Sequence, residues 1–199
     1  MGQPMARPIN LDGFEDLFQR DPDPWDYETS AFEAHKRSVL LRYAGLGPRG
    51  RVLELACANG VTTQALMNVG LRVTALDGSQ TAISQAQARL GKISRLRLLH
   101  ANLPEGMAKE RFDLIVVSEI VYYLGSIAAR RLAASVADRV APGGRVVVLH
   151  HHLNFPDASV NPEHAHRDFV RLLRKRMTLI RSARTGRFCV AALVAGHRH

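Results

Sequence analysis

Short, uniformly apolar runs alternate along this chain with longer stretches in which apolar residues recur at helical spacing. Residues 29–44 place Phe32, Val39, Leu40 and Tyr43 on one face of a helix. Gly45, Gly47, Pro48 and Gly50 then break the chain. From there the pattern is regular. Residues 51–56 (RVLELA) predict a buried strand, 61–69 a helix stopped by Gly70, and 71–76 (LRVTAL) a second strand. Ser79 can cap a helix running to Leu90, with Gly91 as its stop. Residues 96–100 and 112–118 (FDLIVVS) predict two more strands, the second the most hydrophobic and therefore central. A helix over 127–140 ends at Pro142-Gly143-Gly144, and a fifth strand follows over 145–151 (RVVVLHH). A basic helix over 164–176 precedes a closing pair of strands, 177–183 and 187–194, about Thr185-Gly186. Ahead of all this, residues 1–24 are polar, carry Pro4, Pro8, Pro22 and Pro24, and read as an arm with one short helical piece near Phe14 and Phe18.

Strands alternating with helices predict an α/β fold with a parallel sheet and helices on both faces. Uninterrupted apolar strands such as 114–117 fit burial from both sides. The last two strands have no helix between them, which predicts an antiparallel end to the sheet. A chain of 199 residues can bury one continuous core, so a single domain over 1–199 is expected, with an arm and helices over 1–47 and a core over 51–195.

Composition narrows the function classes. Apolar residues make up 46% and charged residues 23%, which is globular rather than fibrous or disordered. No apolar stretch approaches the roughly 20 residues that cross a bilayer, and the N-terminus lacks the apolar segment of a secretory signal. A cytoplasmic protein with no membrane partner is expected. Cys57 and Cys189 are too few for a disulfide framework. The net charge of +9 raises the question of nucleic acid. The only lysines are Lys36, Lys92, Lys109 and Lys175, so 23 of the 27 cationic residues are Arg, scattered from Arg7 to Arg198 with one cluster at Arg167, Arg171, Arg174, Lys175 and Arg176.

Chemistry concentrates at the strand ends, where a doubly wound sheet binds its ligand. The first strand runs into Glu54-Leu55-Ala56-Cys57-Ala58-Asn59-Gly60, a small-residue loop that brings backbone close to a ligand and lacks the dinucleotide GxGxxG spacing. The second ends in Asp77-Gly78-Ser79, roughly 20 residues on, where an acid can accept both hydroxyls of a ribose. The third ends at Ala101-Asn102-Leu103-Pro104. Asn102 can bond an adenine amine and Leu103 can pack its ring, though an Asx-turn also explains the Asn. The fourth ends in Ser118-Glu119-Ile120-Val121-Tyr122-Tyr123, placing a carboxylate and a tyrosine near the cleft. Four strand ends with nucleoside contacts in this order point to S-adenosylmethionine rather than NAD.

The segments VLELACANG, VTALDGS, HANLPEG, FDLIVVSEIVYYL and APGGRVVV together resemble class I S-adenosylmethionine-dependent methyltransferases, over about residues 25–195. Asp23-Pro24-Trp25, followed by Phe32-Glu33, and 112–124 narrow the likeness to the nodulation protein S-like group, whose founding member N-methylates a glucosamine amine. The resemblance implies a Rossmann-like, seven-stranded, mostly parallel sheet with the last strand antiparallel. It also implies roles. Glu54 to Gly60 form the cofactor loop, including Ala56, Cys57 and Asn59. Asp77, Gly78 and Ser79 serve the ribose, Asn102 and Leu103 the adenine, and Ser118 and Glu119 the methionine end. Trp25 and Tyr27 cover the cofactor, and Lys36 or Arg37 meets its carboxylate. Ala56 and Ala58 stand where the wider pattern has glycines, and Asn102 where Asp is usual. The segment His150-His151-His152-Leu153-Asn154-Phe155 has no counterpart in the family's acceptor region.

In-line methyl transfer is mainly a matter of proximity and orientation, with a base required only if the acceptor arrives protonated. Glu119, Tyr122 and His150 are the expected catalytic residues, with His151 and His152 as further candidate bases. His150 and His152 share one face of the strand and His151 takes the other. A strand cannot aim all three at one ion, so no metal is expected; a metal site would have to recruit His164 or His166. The expected acceptor is a small-molecule amine, an amino sugar in particular, and the assembly a monomer or homodimer. The alternatives are an RNA or protein methyltransferase using the 164–176 helix, or a non-catalytic module.

Overall fold

The computed structural model describes residues 9–45, 47–153 and 157–196. Pro4, Arg7, Pro8 and Arg198 of the sequence reading, and Asn154 and Phe155, lie outside the described residues. Two helices open the chain, α1 (Leu11–Arg20) and α2 (Ala31–Ala44). The core then runs β1 (Arg49–Leu55), α3 (Val61–Leu66), β2 (Gly70–Asp77), α4 (Gln80–Leu90), β3 (Leu96–His100) and β4 (Phe112–Ser118). It continues with a 3-10 turn (Val121–Tyr123), α5 (Ser126–Arg139), β5 (Val140–His151), α6 (Pro162–Leu173), β6 (Met177–Arg184) and β7 (Phe188–Ala195). The seven strands form one sheet in the order β3-β2-β1-β4-β5-β7-β6. The first five pair in parallel, and β7 runs antiparallel between β5 and β6. This is the arrangement that the resemblance implies.

Strand alternation sorts the core into two layers. Leu53, Leu55, Ile115, Val117, Val146 and Val148 point to the face covered by α5 and α6, through Leu132, Val136, Phe169 and Leu173. Val52, Val73, Leu114, Val116, Val147 and Leu149 point to the face covered by α2 and α3, through Val39, Leu40, Tyr43 and Leu66. Because both faces are covered, these strands read as continuous apolar runs. The fifth strand starts earlier than expected. Pro142-Gly143-Gly144 reads as a break, yet Phe112 still pairs with Val140, and a register shift between Phe112 and Leu114 absorbs the irregularity.

Part of the positive charge is structural. Helices leave their last carbonyls without partners. Arg49 and Arg145 donate to Ala44 O (2.7 Å) and Tyr43 O (3.0 Å) at the end of α2. Arg95 donates to Met67 O and Gly70 O beyond α3. The basic residues on and just after α6 are exposed and partly paired, Arg171 with Asp168 and Arg176 with Asp138. Among the described residues, no helix is long and apolar enough to cross a membrane.

Candidate active site

A cavity of about 1290 Å³ opens beyond the carboxyl ends of β1, β2 and β4. Its floor begins at the loop after β1. Ala56 (φ 56°) and Ala58 (φ 49°) hold the left-handed conformation that glycines would adopt freely. The loop is pinned in place because Cys57 N donates to Leu76 O and Ala58 N donates to Asp77 Oδ2, the latter at 2.9 Å. Asp77 Oδ1 accepts from Ser79 N, also at 2.9 Å. A carboxylate offers about four acceptor positions. Ala58 N and Ser79 N each occupy one, Gly78 N also bears on the carboxylate, and the side chain still borders the cavity, where it can accept from a ligand hydroxyl. Burial pushes its pKa up, while the N–H bonds from Ser79 and Ala58 pull it down.

The N-terminal segment forms the cover. Trp25 packs against Phe18 (5.5 Å between ring centroids) and Tyr27 (5.7 Å), and Phe14 meets Tyr123 edge-on at 4.8 Å. Glu15 fastens α1 to the start of α4. It accepts from Ser79 Oγ (2.6 Å), Thr81 N and Thr81 Oγ1. The Ser79 and Thr81 hydroxyls draw its pKa down to about 2. Asn59 Nδ2 donates to Pro22 O and Asp23 Oδ1, which holds the same segment to the β1 loop.

The far wall is an ionic cluster around Glu119, whose φ of 54° is strained for a residue with a side chain. Lys36 Nζ donates to Glu119 Oε1 (2.5 Å) and Glu33 Oε1 (2.8 Å). Tyr122 Oη donates to Glu119 Oε2 (2.9 Å), and the His151 ring Nδ1 lies 2.9 Å from the same oxygen. The backbone N of His151 also donates to the carboxylate. Burial alone would raise the pKa of Glu119, but the Lys36 ammonium and then His151 outweigh it, and the carboxyl lies well below its usual range.

Of the residues expected at the cofactor, Trp25, Tyr27, Lys36, Ala56, Asp77, Gly78, Ser79, Leu103, Ser118 and Glu119 line this cavity. Glu54, Cys57 and Asn59 instead border a small space of about 30 Å³ beside it. Glu54 turns towards α3, accepts from Thr63 Oγ1 at 2.6 Å, and burial lifts its pKa to about 8. Gly60 reaches neither space; its φ of 83° starts α3, and a Cβ there would meet Ala86 at 3.0 Å. Asn102 is exposed, its carbonyl closes a turn with Gly106 N, and its Oδ1 lies beside Gly78 at the edge of the cavity, whose wall is lined by Ala101 and Leu103.

The expectation for His150 is corrected. Tyr122 lines the cavity, but His150 is fully buried. Its Nε2 accepts from Val121 N, and its Nδ1 lies 3.2 Å from Nδ1 of His166 on α6. Burial holds its pKa well below normal. The cavity receives His151, the residue on the opposite face of β5. Arg37 donates to Tyr27 O and lies outside the main cavity, so Lys36 is the cation that faces it. Sequence reading also missed Asp12, Phe14, Asp157 and Arg187 at the cavity; the Phe14/Phe18 spacing was the available signal for α1. The basic helix contributes no lining residue.

The family model described as nodulation protein S (NodS) matches residues 11–143. The chain is 35% identical over 127 residues to nodulation protein S of Sinorhizobium fredii strain NGR234, covering 63% of this chain and 59% of that protein. It is 33% identical over 151 residues to nodulation protein S of Rhizobium tropici, covering 71% of this chain and 63% of that one. It therefore spans about three fifths of the length of these curated relatives. In three dimensions it is similar to N-methyltransferase NodS from Bradyrhizobium japonicum WM9, solved with S-adenosyl-L-homocysteine. The TM-score is 0.80 at 23% identity, with 94% of this chain and 99% of that one covered, and the shared architecture is the class I methyltransferase fold.

Proposed function

The chain belongs to the nodulation protein S family, and from that premise we propose that it is an S-adenosylmethionine-dependent methyltransferase acting on the amine of a small molecule. The observation that carries this reading is the cavity itself. At about 1290 Å³ it exceeds the range of roughly 300–1,000 Å³ that holds a single drug-sized ligand, leaving room for cofactor and acceptor together. Its lining includes Asp12, Asp26, Glu33, Asp77, Glu119 and Asp157 against the cations Lys36 and Arg187, a balance that favours a cationic acceptor over a phosphorylated one.

The residues present fit the cofactor. Asp77 offers its remaining acceptor positions to the ribose diol, Leu103 and Ala101 pack the adenine, and the left-handed Ala56 and Ala58 let backbone approach it. Trp25 and Tyr27 close over the site and exclude water. The bound cofactor supplies a methyl group on a sulfonium that is already activated. The protein's task is then to align the acceptor nitrogen with that carbon, and such orientation accounts for most of the catalysis in this kind of transfer. Cys57 and Cys189 are free and buried, which fits a reducing cytoplasm. The exposed α6 face lies away from the cavity, so the RNA reading gains nothing from it.

The test is transfer of labelled methyl from S-adenosylmethionine to a panel of amino sugars and simple primary amines. Labelled N-methyl product is expected. Absence of transfer to every amine refutes the acceptor class.

A further inference from the structure

Resting on that reading, the geometry points to His151 as the base that deprotonates the acceptor ammonium, with Glu119 as the positioning residue that sets its tautomer. The matched family segment ends at residue 143, so His151 belongs to the part of the chain that the family model leaves unmatched.

The argument starts from proton bookkeeping. Glu119 pairs with the buried Lys36 ammonium at 2.5 Å and is ionised, so its oxygens can only accept. His151 Nδ1 lies 2.9 Å from Glu119 Oε2 and must therefore be the donor. A neutral imidazole carries one N–H, so Nε2, on the opposite edge of the ring, holds the lone pair. His151 lines the cavity with its side chain 22% exposed, so its ring borders the space an acceptor would occupy. The titratable groups in contact with the ring are Glu119, just past β4, and Tyr122 of the 3-10 turn, whose hydroxyl donates to Glu119 and lies 3.4 Å from His151 Nδ1; Tyr27, Glu33, Lys36, Tyr123 and Arg187 line the same cavity.

Glu119 is poorly suited to take the proton itself. It already accepts from Lys36, Tyr122, and both the ring and backbone nitrogens of His151. Its carboxylate is turned back to β5, where both the backbone N and the ring Nδ1 of His151 contact it. His150 is enclosed and bonded to Val121 N, so it cannot reach a substrate.

The step balances without a further reagent. An N–H bond of the acceptor ammonium breaks, its electron pair stays on nitrogen, and the proton passes to His151 Nε2. The freed pair then forms the new N–C bond as the C–S bond of the cofactor breaks with its electrons on sulfur. The imidazolium, stabilised by Glu119, returns its proton to water.

Two measurements test this. The first compares methyl transfer to D-glucosamine and the other primary amines by the wild type and His151→Gln across a pH series, with S-adenosylhomocysteine affinity measured on both. At pH 7 the variant is expected to lose roughly 10²–10⁴-fold in rate on the more basic primary amines and less on the weakly basic amine of D-glucosamine, while keeping its affinity. The defect should shrink as rising pH delivers the amine already deprotonated. A rate within twofold of the wild type on the more basic amines at pH 7, or a defect constant with pH, overturns the proposal. Failure of the wild type to methylate any amine overturns the function reading itself, and this proposal with it. The second needs no variant: long-range proton–nitrogen correlation on the wild type should show neutral His151 with the proton on Nδ1, and a proton on Nε2 overturns the assignment.

Discussion

Replacing Lys36 with Met probes the ionic cluster that holds the site together. The Lys36 side chain is 8% exposed, and its partners Glu33 and Glu119 are 12% and 11% exposed. Methionine keeps the length of the stem and removes the charge, leaving two nearby carboxylates without their shared cation. Removing one partner of a buried pair costs about 3–5 kcal/mol, because the other charge stays desolvated. For a domain of this size each 1 kcal/mol moves Tm by about 2–4 °C, so a fall of roughly 6–20 °C is expected near pH 7.5. The sign of the pH dependence follows from Glu119. Its folded pKa lies below the unfolded value, so its contribution is fully present above the unfolded carboxylate pKa and is lost as pH falls through the folded one. Without Lys36, burial dominates and the folded pKa rises. The gap between variant and wild type should therefore narrow as acid protonates Glu119. Thermal melts from pH 4 to 8 measure this, with Lys36→Met/Glu119→Gln as the coupled control. The double variant should lose much less than the sum of the singles. A Tm within about 2 °C of wild type at pH 7.5, or a gap that widens in acid, refutes the reasoning.

Other expectations concern the cover, the loop and the surface. Trp25→Ala removes a ring packed on Phe18 and Tyr27. It should weaken S-adenosylhomocysteine binding by at least tenfold in calorimetry, and unchanged affinity would show that Trp25 does not cover the ligand. Gly60→Val places a side chain at φ 83° against Ala86. It should cost about 1–3 kcal/mol in urea unfolding, and a smaller loss would contradict the close approach. Arg171→Glu with Arg174→Glu alters only the exposed face of α6. Methyl transfer to the amine acceptor should stay within twofold, and a large loss would revive a role for the basic helix in substrate binding.

The fold was legible where local signals agree. Residues 96–100 and 112–118 coincide with β3 and β4, where short apolar runs give way to polar, turn-forming sequence. Ser79 caps α4 as read, with Oγ accepting from Ala82 N. The start of β5 was not legible. Pro142 and two glycines oppose a strand locally, and only pairing with β4 overrides them. For the site, sequence order located the strand ends. It could not say which side chain at each end turns inward. The alternation of His150 and His151 was readable, but which of them is enclosed depends on α6 lying beneath β5 and presenting His166. Asn102 sits at the end of β3 as expected, with its carbonyl in a turn to Gly106 N and its Oδ1 beside Gly78, while its neighbours Ala101 and Leu103 line the wall. The charge of +9 also looks different in structure. Arg49, Arg95 and Arg145 are engaged with backbone carbonyls, while carboxylates outnumber cations among the charged residues that line the cavity.

The central claim is that Asp77 and the loop after β1 hold an adenosylated cofactor, and titration calorimetry with S-adenosylhomocysteine tests it most directly. Two charge-assisted hydrogen bonds to the ribose hydroxyls, at about 1.5–3 kcal/mol each, should make Asp77→Asn bind at least roughly 100-fold more weakly than a one-to-one wild-type complex. A wild type that binds no S-adenosylhomocysteine, or an Asp77→Asn variant that binds it equally well, would contradict the account.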